Sequence, residues 1–378
     1  MNILMTADTV GGVWQYAMEL MTSLEVKGYS FSLATMGPPP DDSQLEQLNR
    51  ISNVTLHVGD FKLEWMASPW LDVTKAGDWL MNLAIEVKPD VVHLNGYTHA
   101  SLAWNCPVLV VGHSCVLSWW RAVKGCPAGD MFEQYRIAVA RGLASADMVV
   151  APSKAMLDQL QLCYGPLMRT RVIYNARCKS FKPAPKEEFI FSAGRIWDEA
   201  KNIKALCEAA PDLDWPVYIA GPDVNEQGQA CEHENVKYLG NLDQDALVGW
   251  MSRAAVYALP AYYEPFGLTV LEAAMSGCAL VLGDIQSLRE IWGDAAAYVP
   301  PGDVRELVFA LRYLQRDPSV RRSLAARAYR RALSYRPDRL GREYDRAYRD
   351  LAKKADATRF VLPVQTHDQR LDEHRRSA

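Results

Sequence analysis

The sequence predicts an α/β protein with two doubly wound domains, and three observations support that fold class. The chain has 378 residues, which exceeds one comfortable hydrophobic core and favours two domains. Short apolar strands alternate with helical segments, as in parallel sheets that are covered on both faces. A proline-rich segment, "NARCKSFKPAPKEE", interrupts this alternation near the middle of the chain. We therefore expect one domain over residues 1–178 and a second over residues 187–336.

The first half begins with the apolar strand "NILMTA", which is followed by the turn "DTVGG". The next residues predict a helix, because their apolar positions share one face and a glycine, Gly28, ends the pattern. The further predicted strands of this half are "SFSLATM", "DVVHL", "PVLVVG", "DMVVAP" and "RVIYN". Each is followed by a polar turn, which is typical of strand-to-helix connections.

The second half repeats the alternation. Its predicted strands are "FIFSAG", "PVYIAG", "VKYLG", "VYALP", "CALVL" and "AAYV". Its predicted helices lie near 201–210, 243–254, 268–276, 285–292 and 303–316. From Pro318 the chain is helical and basic, with ten arginines between Arg321 and Arg349. We interpret them as a solvated face paired with nearby acids; contact with an anionic membrane surface or an acidic acceptor is the alternative. The tail 356–378 is polar, and we expect it to fray.

Composition excludes several classes of protein. A hydrophobic content of 49% with 23% charged residues indicates a globular protein, and a net charge of −4 gives no reason to expect nucleic acid. No apolar run reaches the roughly 18 residues that a membrane helix needs. The start "MNILMTAD" lacks a basic signal-peptide region, so we expect a cytoplasmic protein. Eight scattered cysteines without a C-x-x-C pair predict free thiols.

Ligands of open parallel sheets bind at the carboxyl ends of strands, and three features lie there. Gly11 and Gly12 follow the first strand and allow close approach of the backbone to a ligand. Arg195 and Lys201 are six residues apart across a loop, so both cations can converge on one anion. After "VYALP", a helix start offers free backbone N–H groups of Phe266, Gly267, Leu268 and Thr269. Together they predict a phosphate-bearing ligand in a cleft between the domains.

These motifs resemble those of glycosyltransferase family 4, the retaining enzymes with the GT-B fold. The family's Glu-x7-Glu signature has its counterpart in Glu264 to Glu272, and its diphosphate-binding pair in Arg195 and Lys201 of "GRIWDEAKN". "VIYNAR" is similar to the family's Pro-Asn-Gly segment, but Tyr replaces Pro and Ala replaces Gly. In the first half, "DTVGGVW" resembles the glycine loop, and His113 in "VLVVGHS" occupies the place of the active-site histidine. The match runs from about residue 1 to 335 and is more specific in the second half.

The resemblance implies two Rossmann-like domains that face each other across a cleft, an acceptor domain first and a donor domain second. It also implies that the final helix, within residues 337–378, crosses back to the first domain. The implied reaction moves a hexose from a nucleoside diphosphate sugar to a hydroxyl acceptor, in glycan, polysaccharide or glycolipid synthesis. A UDP-sugar is favoured over a GDP-sugar as donor.

The resemblance also implies roles for particular residues. The implied catalytic residues are Arg195, Lys201, Glu264 and His113. The implied donor-binding residues are Gly11, Gly12, Gly221, Phe266, Gly267, Leu268, Thr269 and Glu272. Glu272 would accept hydrogen bonds from the ribose, and Glu264 would reach the transferred sugar. The alternatives are a helix-capping carboxylate for Glu264 and a satisfied core histidine for His113.

We expect no metal and no other cofactor. Asp212 and Asp214 in "DLD" are similar to the Asp-x-Asp of metal-using transferases, but they lie at the amino end of a strand and indicate a solvent loop. The acceptor would be a sugar, a lipid-linked molecule or a small hydroxyl compound, and peripheral membrane contact would accompany a lipid. Candidate acceptor-binding residues are Trp14, Trp119 and Trp120, with ordinary core packing as the alternative.

Two other functions remain open. A GT-B-fold sugar-nucleotide epimerase would bind a similar ligand but would need acid and base carboxylates in the cleft. A non-catalytic sugar-binding protein of an export pathway is the second; the missing signal peptide and the converging Arg195 and Lys201 argue against it.

Overall fold

The computed structural model describes residues 1–178, 181–224, 228, 230 and 234–359, with only the backbone described for 354–359. Part of the proline-rich segment, Cys231 and the tail from 360 onward lie outside the described residues. No disulfide bond joins the described cysteines.

The first half forms a seven-stranded parallel sheet in the order β3-β2-β1-β4-β5-β6-β7. Its strands are β1 (Asn2–Asp8), β2 (Ser30–Met36), β3 (Val54–Val58), β4 (Val91–Leu94), β5 (Val108–Val111), β6 (Met148–Ala151) and β7 (Thr170–Val172). Its helices are α1 (Gly12–Glu25), α2 (Asp42–Leu48), α3 (Trp70–Val87), α4 (Val116–Lys124), α5 (Glu133–Ser145) and α6 (Lys154–Tyr164), with 3-10 turns at Thr98–Ser101 and Asp130–Phe132.

The second half forms a six-stranded parallel sheet in the order β10-β9-β8-β11-β12-β13. Its strands are β8 (Glu187–Ala193), β9 (Val217–Ala220), β10 (Lys237–Tyr238), β11 (Ala254–Leu259), β12 (Ala279–Gly283) and β13 (Ala297–Val299). Its helices are α7 (Ile203–Ala209), α8 (Gln244–Arg253), α9 (Leu268–Met275), α10 (Gln286–Trp292), α11 (Val304–Arg316) and α12 (Pro318–Ala332), with 3-10 turns at Glu199–Lys201 and Ala210–Asp212; α13 (Pro337–Arg359) ends the described chain. The two parallel sheets confirm the predicted α/β class.

The strand order of each sheet reverses once, between β1 and β4 in the first sheet and between β8 and β11 in the second. At such a reversal the connections leave to opposite faces, so a crevice opens at the carboxyl ends of the two strands. The segments that follow these four strands therefore hold the positions where a ligand is expected.

The last helix, α13, packs on the first sheet although it follows the second in sequence. Its apolar residues belong to the same buried cluster as Ile3, Met5 and the inner face of α1; they are Leu340, Tyr344, Ala347, Tyr348 and Leu351. Asp345 of α13 also contacts Lys27 at 3.1 Å and accepts a hydrogen bond from the Tyr29 hydroxyl at 2.7 Å. The first core is therefore incomplete without α13.

Several of the ten arginines contact acids or helix carbonyls. Arg342 pairs with Asp338 at 2.8 Å, Arg349 with Asp345 at 2.9 Å, and Arg331 donates to the Ile291 carbonyl at 2.7 Å. These contacts fit the interpretation of a paired, solvated face. No helix within the described part of the chain is long and apolar enough to cross a membrane.

Candidate active site

The glycine loop after β1 faces the second half of the chain. Gly11 has φ +97°, and a Cβ built on it would lie 3.7 Å from Nη1 of Arg195. A Cβ on Gly12 would lie 3.4 Å from Cδ1 of Leu268, the first residue of α9. The structure thus brings three predicted donor-binding residues and the predicted catalytic Arg195 together across the cleft. Glycine suits this loop, because other residues rarely adopt that φ.

The two predicted cations are each held by a carboxylate. Arg195 Nη2 lies 2.8 Å from Asp198 Oδ2, and Lys201 Nζ lies 2.5 Å from Glu264 Oε2. Trp119, on α4 of the first half, donates its indole N–H to the other oxygen of Asp198 at 3.0 Å. Burial raises the pKa of Asp198, but Arg195, Lys201 and the Trp119 N–H outweigh it and hold the pKa below its usual range. The cations are thereby oriented before any ligand contacts them.

Asp198 was missed by the sequence reasoning. It is 5% exposed and accepts the backbone N–H of Ala200, so it also forms the turn that leads to Lys201. Its spacing of three from Arg195 was the available signal, because side chains three apart meet on a helical turn.

The start of α9 provides the predicted backbone donors. Gly267, in the left-handed region at φ +87°, precedes the first helical residue, Leu268. The N–H groups of a first helical turn have no carbonyl partner within the helix, so they can face an anion. The side chain of Phe266 is 3% exposed and packs against Tyr335, while the Thr269 hydroxyl accepts a hydrogen bond from Tyr257 at 2.9 Å. For Phe266 and Thr269, therefore, the backbone is the part that can contact a ligand.

Glu272 has a protein partner that the sequence reasoning did not anticipate. It is 4% exposed, and its Oε1 lies 2.6 Å from Nε of Arg177, which is also buried. The same guanidinium lies 3.3 Å from Glu19 on α1, so two carboxylates from different halves share one cation. Burial raises the pKa of Glu272, with Arg177 opposing the shift. Glu272 was expected to be a free acceptor for the ribose. In the structure its carboxylate is buried, and one of the two oxygens already contacts Arg177.

Gly221 has a structural explanation. Its φ is +131°, and a Cβ there would lie 1.9 Å from the carbonyl oxygen of Gly194. Any side chain would therefore push apart the ends of β8 and β9. Its predicted donor contact stays a prediction.

His113 follows β5, the neighbour of β4 in the first sheet, and contacts the segment after β4 at the reversal. Its Nε2 lies 2.8 Å from Oδ1 of Asn95, the residue after β4, and its ring packs edge-on against Tyr16 with centroids 4.5 Å apart. Burial lowers the pKa of His113 to about 3, so the ring is neutral at physiological pH. One of its nitrogens is thus satisfied within the protein, as in a core histidine, although the residue lies at the crevice.

Asp8 is a second cleft residue that the sequence reasoning missed. It ends β1, and its Oδ1 accepts the backbone N–H of Val10 at 3.0 Å. Burial raises the pKa of Asp8 to about 7, while the Val10 N–H and the charge of Arg195 oppose the shift. The signal was present as the first letter of "DTVGG", at a carboxyl strand end.

The three candidate acceptor tryptophans differ. The prediction for Trp14 is wrong: its side chain is 1% exposed, belongs to the first core and donates its N–H to Gln47. The helical stripe of α1 turns it inward, away from the cleft. Trp119 lies at the cleft and contacts Asp198, as given above. Trp120 is half-buried and its ring lies 5.1 Å from that of Phe132.

Asp212 and Asp214 are exposed and precede β9 at its amino end, where Arg312 lies 4.0 Å from Asp212. This agrees with the interpretation as a solvent loop. Among the described residues no group of three His, Cys, Asp or Glu side chains could hold a metal ion. Metal independence stays a prediction.

The two halves contact each other along the rim of the cleft. The carboxylate of Glu290 accepts the backbone N–H groups of Lys154 and Ala155, at the start of α6, at 2.7 and 2.8 Å. The hydroxyl of Tyr263, beside Glu264, lies 2.9 Å from that of Ser118. These contacts hold the carboxyl edges of the two sheets opposite each other.

Two family models match consecutive parts of the chain. The model described as "Glycosyltransferase Family 4" matches residues 10–177, and the model described as "Glycosyl transferases group 1" matches residues 176–331. Among similar proteins, the glycogen synthase of Mycobacterium tuberculosis is 26% identical over 362 residues, covering 84% of this chain and 86% of its own. The D-rhamnosyltransferase WbpZ of Pseudomonas aeruginosa is 25% identical over 341 residues, covering 82% of this chain and 84% of its own.

Solved structures share the fold over most of the chain. The sucrose-phosphate synthase of Thermosynechococcus elongatus superposes with a TM-score of 0.77 at 19% identity, covering 94% of this chain and 100% of its own. HepE of Anabaena, solved in complex with UDP-glucose, gives a TM-score of 0.73 at 17% identity, covering 93% of this chain and 100% of its own.

Proposed function

We propose that this chain, which belongs to the glycosyltransferases of family 4 and group 1 and has their GT-B fold, transfers a hexose from a nucleoside diphosphate sugar to a hydroxyl acceptor with retention of configuration. The observation that carries the proposal is the convergence of two cations and a helix start on one crevice. Arg195 borders the glycine loop, Lys201 is paired with Glu264, and α9 begins next to both.

A nucleoside diphosphate fits these groups. Its two phosphates require cations and N–H donors together, and Arg195, Lys201 and the first turn of α9 supply both. The ribose would lie towards Glu272, where the carboxylate oxygen that Arg177 does not engage would accept its hydroxyl hydrogens. The sugar would lie towards Glu264 and His113, on the side that faces the first sheet.

The same groups serve the departure of the diphosphate. The bond from the anomeric carbon to the diphosphate oxygen breaks, and its electron pair leaves with that oxygen. Arg195 and Lys201 stabilise the developing charge because they are already oriented by Asp198 and Glu264. The acceptor oxygen bonds to the anomeric carbon from the same face, and its proton passes to a diphosphate oxygen. Retention follows, and no protein base is required.

Metal independence belongs to this proposal. A metal ion on a nucleoside diphosphate offsets phosphate charge, and here two fixed cations stand at the place where that charge develops. We therefore propose that the nucleoside diphosphate sugar is the donor substrate and that the chain uses no cofactor.

The similar proteins indicate which donor to test first. The neighbour HepE was solved with UDP-glucose, and the similar proteins include a glycogen synthase and a D-rhamnosyltransferase. UDP-glucose is therefore the first donor to test, with other UDP- and GDP-hexoses after it.

The acceptor side includes a pocket of about 560 Å³ next to the start of α4. Aromatic and sulfur-containing side chains line it, among them Trp65, Met66, Trp70 and Phe132. Indole faces suit both sugar rings and apolar groups. An acceptor screen should accordingly include alkyl and aryl glycosides as well as free sugars and lipid-linked sugars.

The test is a donor and acceptor screen with excess EDTA in every reaction. Release of nucleoside diphosphate together with a new glycoside is expected, and NMR of that glycoside should show the donor's anomeric configuration. Arg195→Ala serves as the matched inactive control. Conversion of the donor into another nucleotide sugar without acceptor would indicate an epimerase. Inversion at the anomeric carbon, or activity only after addition of manganese, would contradict the proposed mechanism.

A further inference from the structure

The side chain of Asn95 has a fixed orientation between two histidines. Its Nδ2 donates to the carbonyl oxygen of Thr6 at 2.6 Å, and its backbone N–H donates to the Thr6 hydroxyl at 3.0 Å. A carbonyl oxygen accepts and never donates, so the atom beside Thr6 must be the amide nitrogen. The other end of the amide, Oδ1, therefore faces His113 at 2.8 Å and His93 at 3.2 Å.

This orientation decides where the histidine protons are. Oδ1 is an acceptor only, so Nε2 of His113 and Nε2 of His93 must each carry a proton to bond with it. Burial lowers the pKa of both rings to about 3, so each ring has one proton and a bare Nδ1. The opposite tautomer would place two lone pairs against each other at 2.8 Å.

A further hydrogen bond connects His93 to the last helix. Nδ1 of His93 lies 2.6 Å from the hydroxyl of Tyr348 on α13, and a bare Nδ1 accepts that O–H. His93 and Tyr348 are completely buried. Two further groups face His93: Tyr16, whose hydroxyl lies 3.3 Å from Nε2, and Tyr344, whose ring stacks at 5.5 Å. None of these groups is charged, and burial outweighs the hydrogen bond to Asn95, which favours a protonated ring.

We infer that Tyr348, His93 and Asn95 form a relay that locks His113 in its Nε2-protonated tautomer, so that its Nδ1 lone pair accepts a hydrogen bond from a hydroxyl of the transferred sugar. The relay stands on the geometry alone, whereas the sugar contact rests on the proposed function. The three relay members are positioning residues, because they act through His113. The final helix thereby contributes a positioning residue, Tyr348, to the active site in addition to covering the first core.

The direct test is histidine nitrogen NMR on the full chain labelled with ¹⁵N-histidine at pH 7. We expect both rings to show a protonated Nε2 and a bare Nδ1, with His113→Gln and His93→Gln used to assign the signals. A protonated Nδ1 on His113 in the wild type would overturn the inference. This measurement needs no substrate, so it is decisive even if the chain transfers no sugar.

Two tyrosines of α13 supply a matched pair of variants. Tyr348→Phe removes the hydroxyl that bonds His93, whereas Tyr344→Phe keeps the ring that stacks on His93 and removes a hydroxyl that does not bond it. We expect Tyr348→Phe to introduce a second histidine tautomer and to lower kcat by about 10-fold, the scale of one hydrogen bond. Tyr344→Phe should leave the histidine signals unchanged. Equal histidine spectra in the two variants would refute the relay.

Asn95→Asp gives a second readout that a merely structural role would not move. A carboxylate in place of the amide stabilises a protonated ring, so the pKa of His113 should rise into the measurable range and the rate of transfer should acquire a new dependence on pH. Binding of the free nucleoside diphosphate should stay within about 2-fold of wild type, since that product lacks the sugar. Loss of diphosphate binding equal to the loss of transfer would contradict the sugar contact while leaving the tautomer result intact.

Discussion

Removing the buried cation at Arg177 should be among the most damaging single changes to this fold. Arg177 contacts Glu19 of the first half at 3.3 Å and Glu272 of the second half at 2.6 Å, and all three side chains are less than 10% exposed. Removing one member of a buried ion pair costs about 3–5 kcal/mol, because the other charge stays buried without a partner. Arg177→Leu leaves two buried carboxylates without a cation, so we expect the free energy of unfolding to fall by an amount in the upper part of that range.

The loss should depend on pH with a definite sign. Without Arg177, burial raises the pKa of Glu272 unopposed, further above the value of about 4.3 that a glutamate has in the unfolded chain. A raised folded pKa destabilises the fold as the pH rises from the unfolded pKa to the folded one. The difference between Arg177→Leu and wild type should therefore be larger at pH 8 than at pH 5.

Guanidinium unfolding followed by tryptophan fluorescence at pH 5 and pH 8 measures the free energy of unfolding of Arg177→Leu and of wild type. Lys124→Ala is the matched control, since it breaks another ion pair between the halves, with Glu199, whose carboxylate is well exposed. Its cost should stay below about 1 kcal/mol. A cost below about 1 kcal/mol for Arg177→Leu, or a cost that is the same at pH 5 and pH 8, would show that the variant does not leave buried carboxylates without a partner.

Three further outcomes are expected. Arg195→Ala or Lys201→Ala should lower turnover about 100-fold in a chain that circular dichroism still shows to be folded, because each removes a charge that stabilises the leaving diphosphate; near-normal turnover would count against that role. Asp8→Asn should raise the melting temperature more at pH 8 than at pH 5, since burial raises the pKa of Asp8 to about 7 and its ionisation destabilises the fold as the pH approaches that value; an equal rise at both pH values would argue against the shift. A chain ending at Arg336 lacks α13 and should fail to give a stable fold in circular dichroism, whereas one ending at Arg359 should melt like the full chain.

The sequence was sufficient for the architecture because its signals are local. Apolar runs and helical stripes predicted most strands and helices, and the second-half helices lie within a few residues of their predicted positions. The edge strand Val54–Val58 was missed, since its residues are only partly buried and lack a continuous apolar run. The order of strands within each sheet could not be deduced, because pairing depends on contacts between distant segments.

Contacts between neighbouring motifs could be expected from the sequence, whereas contacts between distant residues could not. Lys201 pairs with Glu264, and the glycine loop faces Arg195; their roles in the site stay predictions. The ion-pair cluster of Glu19, Arg177 and Glu272 was not foreseeable, since Arg177 and Glu19 alone are 158 residues apart in sequence. For the same reason nothing in the sequence linked His113 to the last helix.

Trp14 shows the opposite error. It directly follows the glycine loop, so nearness in sequence suggested a cleft residue, yet the turn of α1 directs its side chain into the core. Position on a helix, with its period of 3.6 residues, decides exposure more than distance from a motif does.

Calorimetric titration of UDP into the protein in excess EDTA measures whether the crevice binds a nucleoside diphosphate without a metal ion. We expect saturable binding to the wild type, with affinity at least about 10-fold lower in Arg195→Ala and in Lys201→Ala and unchanged in Lys124→Ala. GDP serves as the second ligand, for the case that the donor carries guanine. The proposed donor site would be contradicted if the wild type bound neither nucleoside diphosphate, or if the Arg195→Ala and Lys201→Ala variants bound as tightly as wild type.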